Sequence, residues 1–280
     1  MSTLKLYDEA TAYSSKFTTL MYSSSFSSAI KLLHKDLRQP IFDIYGFVRF
    51  ADEIVDTFHE YDKATLLATF KADTYAALDN GISLNPILHR FQLTYNQFKI
   101  DRALLDAFLY SMEMDLSQQS HDQASYNQYI FGSAEVVGLM CLKIFCNGDE
   151  GQYEVLKPSA QRLGAAFQKV NFLRDIKADF VGMERMYFPN CDFSNFSLAD
   201  KQAIEVDIQA DFDAAFEGIK ALPIPCRFGV YVAFKYYYAL FKKIKQTNHG
   251  ALLSTRIRIP DYGKLFIVFN AKIRASLNLL

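Results

Sequence analysis

The sequence has no tryptophan, only 7 prolines and 12 glycines in 280 residues, four cysteines and five scattered histidines. Cys141, Cys146, Cys191 and Cys226 form no CxxC pair and lack the dense, even spacing of a disulfide scaffold, which leaves reduced thiols as their reading. Charge of one sign is also missing: 30 basic residues stand against 31 acidic ones, so there is no basic field of the kind that nucleic acid selects, and no nucleic-acid partner is expected. No run approaches the roughly 18 uncharged apolar residues of a membrane span, and the opening MSTLKLYDEATAYSS has no apolar leader core. A soluble, cytoplasmic protein is the expectation.

What is present is apolar and aromatic. Half the residues are hydrophobic, with 25 Phe and 17 Tyr, enough either for a dense core or for the wall of a long greasy cavity. Apolar residues recur every three or four positions and no βαβ alternation occurs, which predicts an all-α protein. The predicted helices are 26–38, 41–59, 63–79, 86–98, 101–118, 123–146, 152–181, 198–219, 225–247 and 261–279. Breaks fall at Asn80-Gly81, from Asn147-Gly148 through Pro158, at 187–197, at Pro223/Pro225 and at Asn248-His249-Gly250. None is long or polar enough to be a linker, so residues 1–280 are taken as a single domain.

Chemistry concentrates in two segments, FVRFADEIVDTF and QKVNFLRDIKADF, each carrying two aspartates one helical turn apart: Asp52/Asp56 and Asp175/Asp179. On the first helix Tyr45, Val48, Arg49, Asp52, Val55 and Asp56 share an arc; on the second, Gln168, Asn171, Asp175 and Asp179 do, with Gly164 leaving space one turn earlier. Like charges on an apolar stripe are costly unless a cation joins them. Oxygen donors without Cys or His suit a hard cation, Mg²⁺ before Zn²⁺, and Mg²⁺ characteristically shares its shell with phosphate oxygens. Arg49, Arg174 and Arg185 stand in or beside the same segments as candidate hydrogen-bond donors to phosphate oxygens. A lone DxxxD is usually a solvated surface; two in apolar helices, each with an arginine, reverse that reading.

These segments, with SSSFSSAIKLL (Ser23–Leu33), MEMDL (Met112–Leu116), YIFGSAEVVGLM (Tyr129–Met140) and ERMYFP, closely resemble the squalene/phytoene synthase family in order and spacing over nearly the whole chain. The resemblance implies an isoprenoid synthase fold with helices around a central apolar cavity. It implies that Asp52, Asp56, Asn171, Asp175 and Asp179 bind Mg²⁺, with Mn²⁺ as a substitute. It places Ser23, Ser25, Phe26, Arg49, Arg174 and Tyr187 near the diphosphates or reacting carbons, makes Tyr129 the tyrosine that opens the family's YxxxVAGxVG motif, and makes Gln168 the glutamine ahead of NxLRD. Two departures stand out. Glu135 occupies a family glycine position, about 120° around the helix from Tyr129 and so off the pocket face; Lys169-Val170 replaces Leu-Thr beside Asn171.

The implied reaction joins two prenyl diphosphates head to head through a cyclopropylcarbinyl diphosphate. Proton loss to phytoene from the C20 substrate is the first expectation, with NADPH not required. A C15-using dehydrosqualene or squalene synthase is the alternative. A non-catalytic assembly factor is a further one, against which both acidic pairs speak. Asp115 is read equally as functional or as a hydrogen-bonded core carboxylate. The stripe Phe234, Tyr237, Tyr238 and Phe241 with Lys235, Lys242 and Lys243 is read first as core, second as a membrane contact or the lining of a tunnel; a peripheral contact with the inner face of the membrane for product release is kept open for the protein as a whole. Oligomeric state is left open.

Overall fold

A computed structural model describes residues 3–118, 120–176, 186–189, 191, 196–252 and 255–276. Among them are helices and no strand: α1 (Thr3–Tyr22), α2 (Ser24–Ile30), α3 (Lys35–Asp56), α4 (Lys63–Asn80), α5 (Pro86–Gln97), α6 (Arg102–Ser117), α7 (Gln123–Ile130), α8 (Val136–Cys146), α9 (Glu150–Ile176), α10 (Leu198–Ala221), α11 (Ile224–Gln246), α12 (His249–Leu252) and α13 (Asp261–Ser276). A π-helical turn, Phe131–Glu135, joins α7 to α8. Local chemistry sets the boundaries. Asn85 caps α5 ahead of Pro86, Asp122 caps α7, a Ser197/Asp200 capping box opens α10, and Gly81 closes α4 at φ +68°.

Three expectations are corrected. α1 was not predicted, because its buried face is Thr11, Ser15, Thr18 and Thr19 rather than aliphatic. Thr11, Thr18 and Thr19 bury their hydroxyls by donating to carbonyls one turn back. Their small size lets α1 lie against α3, where a Cβ on Gly46 would stand 3.2 Å from the Ser15 Cα. Second, the interruption predicted between helices 26–38 and 41–59 falls at 31–34 instead, and Pro40 lies inside α3. Third, Pro158 lies inside α9, which begins at Glu150.

Phe47 stacks on Phe91 at 3.8 Å between ring centroids and touches Phe70 and Phe108, tying α3 to α4, α5 and α6. Beside that stack the buried Asp43 carboxylate accepts from Arg90 Nη2 (2.9 Å), Thr94 Oγ1 (2.9 Å) and Gln39 Nε2 (2.8 Å). Burial pushes its carboxyl upward and the Arg90 guanidinium pulls it back. The knot fixes α3 against α5, and so aims the C-terminal half of α3 inward.

The run Gln123–Cys146 is long and apolar enough, by length and composition, to cross a membrane. Here it is a core element. Val136, Leu139, Met140 and Ile144 are buried, while Ser133, Ala134, Val137 and Cys141 face an internal cavity. α9 presses on the π-turn at Gly164, where a Cβ would lie 2.6 Å from the Ala134 carbonyl oxygen. Gly164→Ala is therefore expected to force the two walls apart and destabilise the protein by about 1–3 kcal/mol, read by urea unfolding. An unchanged midpoint would show that this contact yields freely.

Candidate active site

α2, α3, α6, the π-turn with α8, α9, α10 and α11 enclose a cavity of about 620 Å³. Most of its wall is apolar, including Phe26, Ile44, Leu142, Phe145, Leu163 and Phe167. The charged side chains on its wall are Arg49, Asp52 and Asp56 from α3, Asp115 from α6, Arg174 and Asp175 from α9, and Arg256 from the segment before α13.

On the α3 side negative charge is crowded. Asp52 is pushed up to about 8, first by burial, then by the charge of Asp56, with Asp115 and Glu53 adding to it and Arg49 only partly offsetting it. Arg49 pairs with Glu53 on its own helix and lies over the Tyr22 ring at 4.4 Å, and its Nε is buried without a hydrogen-bond partner. Tyr45, pushed up to about 12 by burial, hydrogen-bonds with Ser23. The Ser23 hydroxyl also accepts from the Phe26 amide (3.1 Å) and caps α2, whose first turn thereby presents Phe26 to Tyr45, Phe167 and Tyr237. Ser25 is half-buried but is not on the cavity wall, since α2 turns its side chain away from the face carrying Phe26.

The α9 side is balanced differently. Asp175 is already held by Arg174 Nη2 (2.5 Å) and Arg256 Nε (2.8 Å). Relief of repulsion, expected for both aspartates from their sequence context, thus applies to Asp52 and not to Asp175. Asn171 donates toward Gln168 Oε1 (3.5 Å), and its own carbonyl oxygen is buried with no hydrogen-bond partner. Asp179 and Arg185 lie outside the described residues.

Between the walls sits a carboxylate–tyrosine unit. Asp115 accepts from Tyr129 OH (2.8 Å) and Tyr187 OH (3.4 Å). Tyr187 is sandwiched by Phe172 at 4.0 Å and His121 at 5.8 Å, and Tyr129 also stacks on it. Burial, then the Asp115 charge, drives the Tyr129 phenol well up, so it stays protonated and donates. Asp115 is thus both hydrogen-bonded and on the cavity wall, joining the two readings of it.

The departures resolve cleanly. Glu135 is off the cavity and accepts from Gln161 Nε2 (2.9 Å) on α9; Lys169 points the opposite way, onto Asp207 (2.5 Å) and Asp211 (2.7 Å) of α10. In the stripe on α11, Phe234, Tyr237 and Phe241 are buried in the core, and Tyr237 also lines the cavity, so the core and tunnel readings meet in that residue. Tyr22, His121 and Arg256 had drawn no attention in the sequence. Arg256 sits 81 positions from its partner Asp175, and no local spacing reports that pairing.

The donor set fits a hard cation shared with phosphate. The orphaned Asn171 oxygen and the elevated Asp52 mark missing positive charge, yet among the described residues no three His, Cys, Asp or Glu side chains converge enough to hold an ion unaided. Ligand oxygens from a substrate would complete such a shell.

The squalene/phytoene synthase family profile matches residues 21–262, and the chain belongs to that family, whose members are prenyltransferases that condense prenyl diphosphates head to head. It is similar to a presqualene diphosphate synthase of Rhodopseudomonas palustris, 31% identical over 60% of this chain and 58% of that protein. It also resembles a phytoene synthase of Arthrospira platensis, 26% identical over 92% of this chain and 91% of the relative. The fold is that of a dehydrosqualene synthase crystallised with a ligand, with a TM-score of 0.83 and 19% identity over 97% of this chain and 98% of that one. The all-α isoprenoid synthase fold is thereby established.

The crowding on α3 has a measurable consequence. A carboxyl whose folded value lies near 8 and unfolded value near about 4 binds its proton more tightly when folded, so metal-free protein loses stability as pH rises between those limits. In EDTA, Asp52→Asn is expected to match wild type near the lower limit and to melt progressively higher as pH approaches 8. Asp175→Asn, which strips Arg174 and Arg256 of their partner, is expected to show no such gain. Parallel pH dependence of melting temperature in wild type and Asp52→Asn would refute the crowding.

Proposed function

We propose that this protein condenses two C20 prenyl diphosphates, geranylgeranyl diphosphate, head to head to phytoene. One observation carries the chemistry: an apolar cavity whose cation-seeking carboxylates and phosphate-seeking arginines are gathered on facing helices. Supporting the C20 reading, the phytoene synthase relative matches at nearly full length, and small residues such as Ala160, Ala215, Gly218, Gly229 and Ala233 line the wall.

Asp52, Asp56, Asn171 and Asp175, with Asp179, would hold Mg²⁺. Bound there, it would supply positive charge that offsets the diphosphate and eases its departure as a leaving group. Arg49, Arg174 and Arg256 bind diphosphate oxygens, and the buried, unpartnered Nε of Arg49 is one donor waiting for an acceptor. When the C1–O bond of the donor breaks, its electron pair leaves with pyrophosphate and an allylic cation remains. The rings of Phe26, Phe167 and Tyr237 on the cavity wall would stabilise its positive charge and exclude water. The double bond of the second substrate attacks the cation, and loss of a proton closes the cyclopropane. The second diphosphate then leaves, the carbon skeleton rearranges, and loss of another proton ends the reaction with no reductant consumed. Asp115, which accepts from Tyr129 and Tyr187 on the cavity wall, would lie beside carbons that carry this charge.

A second reading, C15 substrates with presqualene diphosphate or dehydrosqualene as product, is favoured by the names of the Rhodopseudomonas relative and of the dehydrosqualene synthase structure. Incubation with C15 or C20 diphosphate and Mg²⁺, with and without NADPH, separates the readings by chromatography. Phytoene from the C20 substrate, unchanged by NADPH, is expected. Product from C15 alone selects the second reading, and no pyrophosphate release from either substrate overturns both. EDTA is expected to abolish release, and Asp52→Asn or Asp175→Asn to lower turnover by about 10²-fold or more while circular dichroism stays native.

A further inference from the structure

α13 carries its apolar stripe on the wrong side for a core helix. Tyr262, Leu265, Phe266, Phe269 and Ile273 recur at i, i+3, i+4, i+7 and i+11, within an arc of about 100°, and every one is between 41% and 79% exposed. Its opposite face is satisfied: Ala271 is buried, and Ile267 and Val268 pack on the core. At 16 residues the helix is too short to span a bilayer. A second exposed apolar strip, Tyr13, Phe17 and Met21 of α1, approaches α2, which α13 also touches through the bond from Lys264 Nζ to Ser24 Oγ (2.6 Å).

The surrounding charge is one-sided. Residues 225–280 hold ten Lys and Arg against the single acid Asp261, whereas residues 1–224 hold twenty against thirty. Lys272 and Arg274 flank the stripe, and Arg274 and Lys242 both crowd Lys235 of α11. Among the described residues none of these four has an acidic partner. Two copies meeting face to face through this stripe would bring like-charged rims together, which argues against a second chain as the occupant. An anionic lipid surface answers both features at once, because its headgroups attract the rim and its acyl boundary accepts the stripe.

We propose that α13 is an interfacial helix that docks this protein on anionic bilayers, with Tyr262, Leu265, Phe266, Phe269 and Ile273 inserted and Lys272 and Arg274 at the headgroups. Docking there sets the Ser23 and Arg256 edge of the cavity beside the membrane, because Lys264 binds the residue next to Ser23 and Arg256 lies just ahead of α13. The inference stands apart from substrate identity, as its test contains no substrate.

The test is co-sedimentation of the full chain with vesicles of phosphatidylglycerol mixed equally with phosphatidylcholine, against phosphatidylcholine alone, with light scattering on the lipid-free protein. Binding to the anionic vesicles is expected, weakened by salt. Phe266→Ser/Phe269→Ser is expected to lower affinity by about tenfold or more, and Lys272→Ala/Arg274→Ala by about fivefold per charge. All four positions are surface ones, so melting temperatures should hold; if the first pair misfolds, Tyr262→Ser/Leu265→Ser replaces it. Wild type that ignores anionic vesicles, or variants that bind equally well, would overturn the proposal. So would a dimer that the same variants dissolve in a protein without vesicle affinity.

Discussion

Negative charge held at one end of a greasy cavity is the constraint from which the rest of this structure follows. Asp52, Asp56 and Asp115 come from two helices to one end of this space, Asp115 buried, Asp52 half-buried and Asp56 exposed, and burial first, then the charge of Asp56, pushes the Asp52 carboxyl up to about 8. A fold gains nothing from such an arrangement by itself, since desolvated like charges oppose compactness. It persists because other contacts make α3 rigid: the Phe47–Phe91 stack and the Asp43–Arg90 knot lie on the preceding turns and leave its last two turns no freedom to swing outward. Stability resides in one half of the helix, and the strained chemistry in the other.

The same division of labour holds on the opposite wall. α9 offers the cavity Gln168, Asn171 and Asp175 while its other face is pinned to α10 by the buried Lys169–Asp211 pair. Its distance from the π-turn is set by a glycine in contact with a carbonyl. A π-turn widens the helix by one residue, and here it separates Tyr129, bonded to Asp115, from Val137 and Gly138, which line the apolar part of the wall. Glu135 falls on the far side of that turn and finds Gln161, so a carboxylate at a family glycine position leaves the pocket unaltered.

Much of this was legible because it is local. An i,i+4 acidic pair within an apolar stripe, or an asparagine one turn before an aspartate, reports a shared face wherever the helix lies, and the structure keeps Asp52, Asp56, Asn171 and Asp175 on the cavity wall. What escaped notice is either non-local or chemically disguised. Arg256 meets Asp175 across 81 residues, and His121 reaches the tyrosines from a loop, neither having any periodic signature. α1 buries hydroxyls instead of methyl groups, so a search for aliphatic periodicity passes over a genuine helix. The α13 stripe has ideal helical spacing, but spacing cannot say whether a stripe faces inward or outward. Only the placement of Ala271 against the core decides that.

The two walls differ in a way that bears on how substrate enters. On α9, Arg174 and Arg256 already neutralise Asp175, so anionic oxygens arriving there compete with a carboxylate for two guanidinium groups. On α3, by contrast, burial and the charge of Asp56 push the Asp52 carboxyl up, and positive charge arriving beside it would favour its carboxylate form. A lone anion would be repelled by one wall, and a lone cation would find the other already paired. Only charges of both signs arriving together let the arginines exchange Asp175 for phosphate while the freed aspartate meets positive charge. Net charge in the cavity then changes little, and reorganisation is small in a medium where uncompensated charge is most costly. On the proposed reading, the asymmetry between Asp52 and Asp175, rather than any one contact, would favour a metal-bound diphosphate over a bare anion of similar shape.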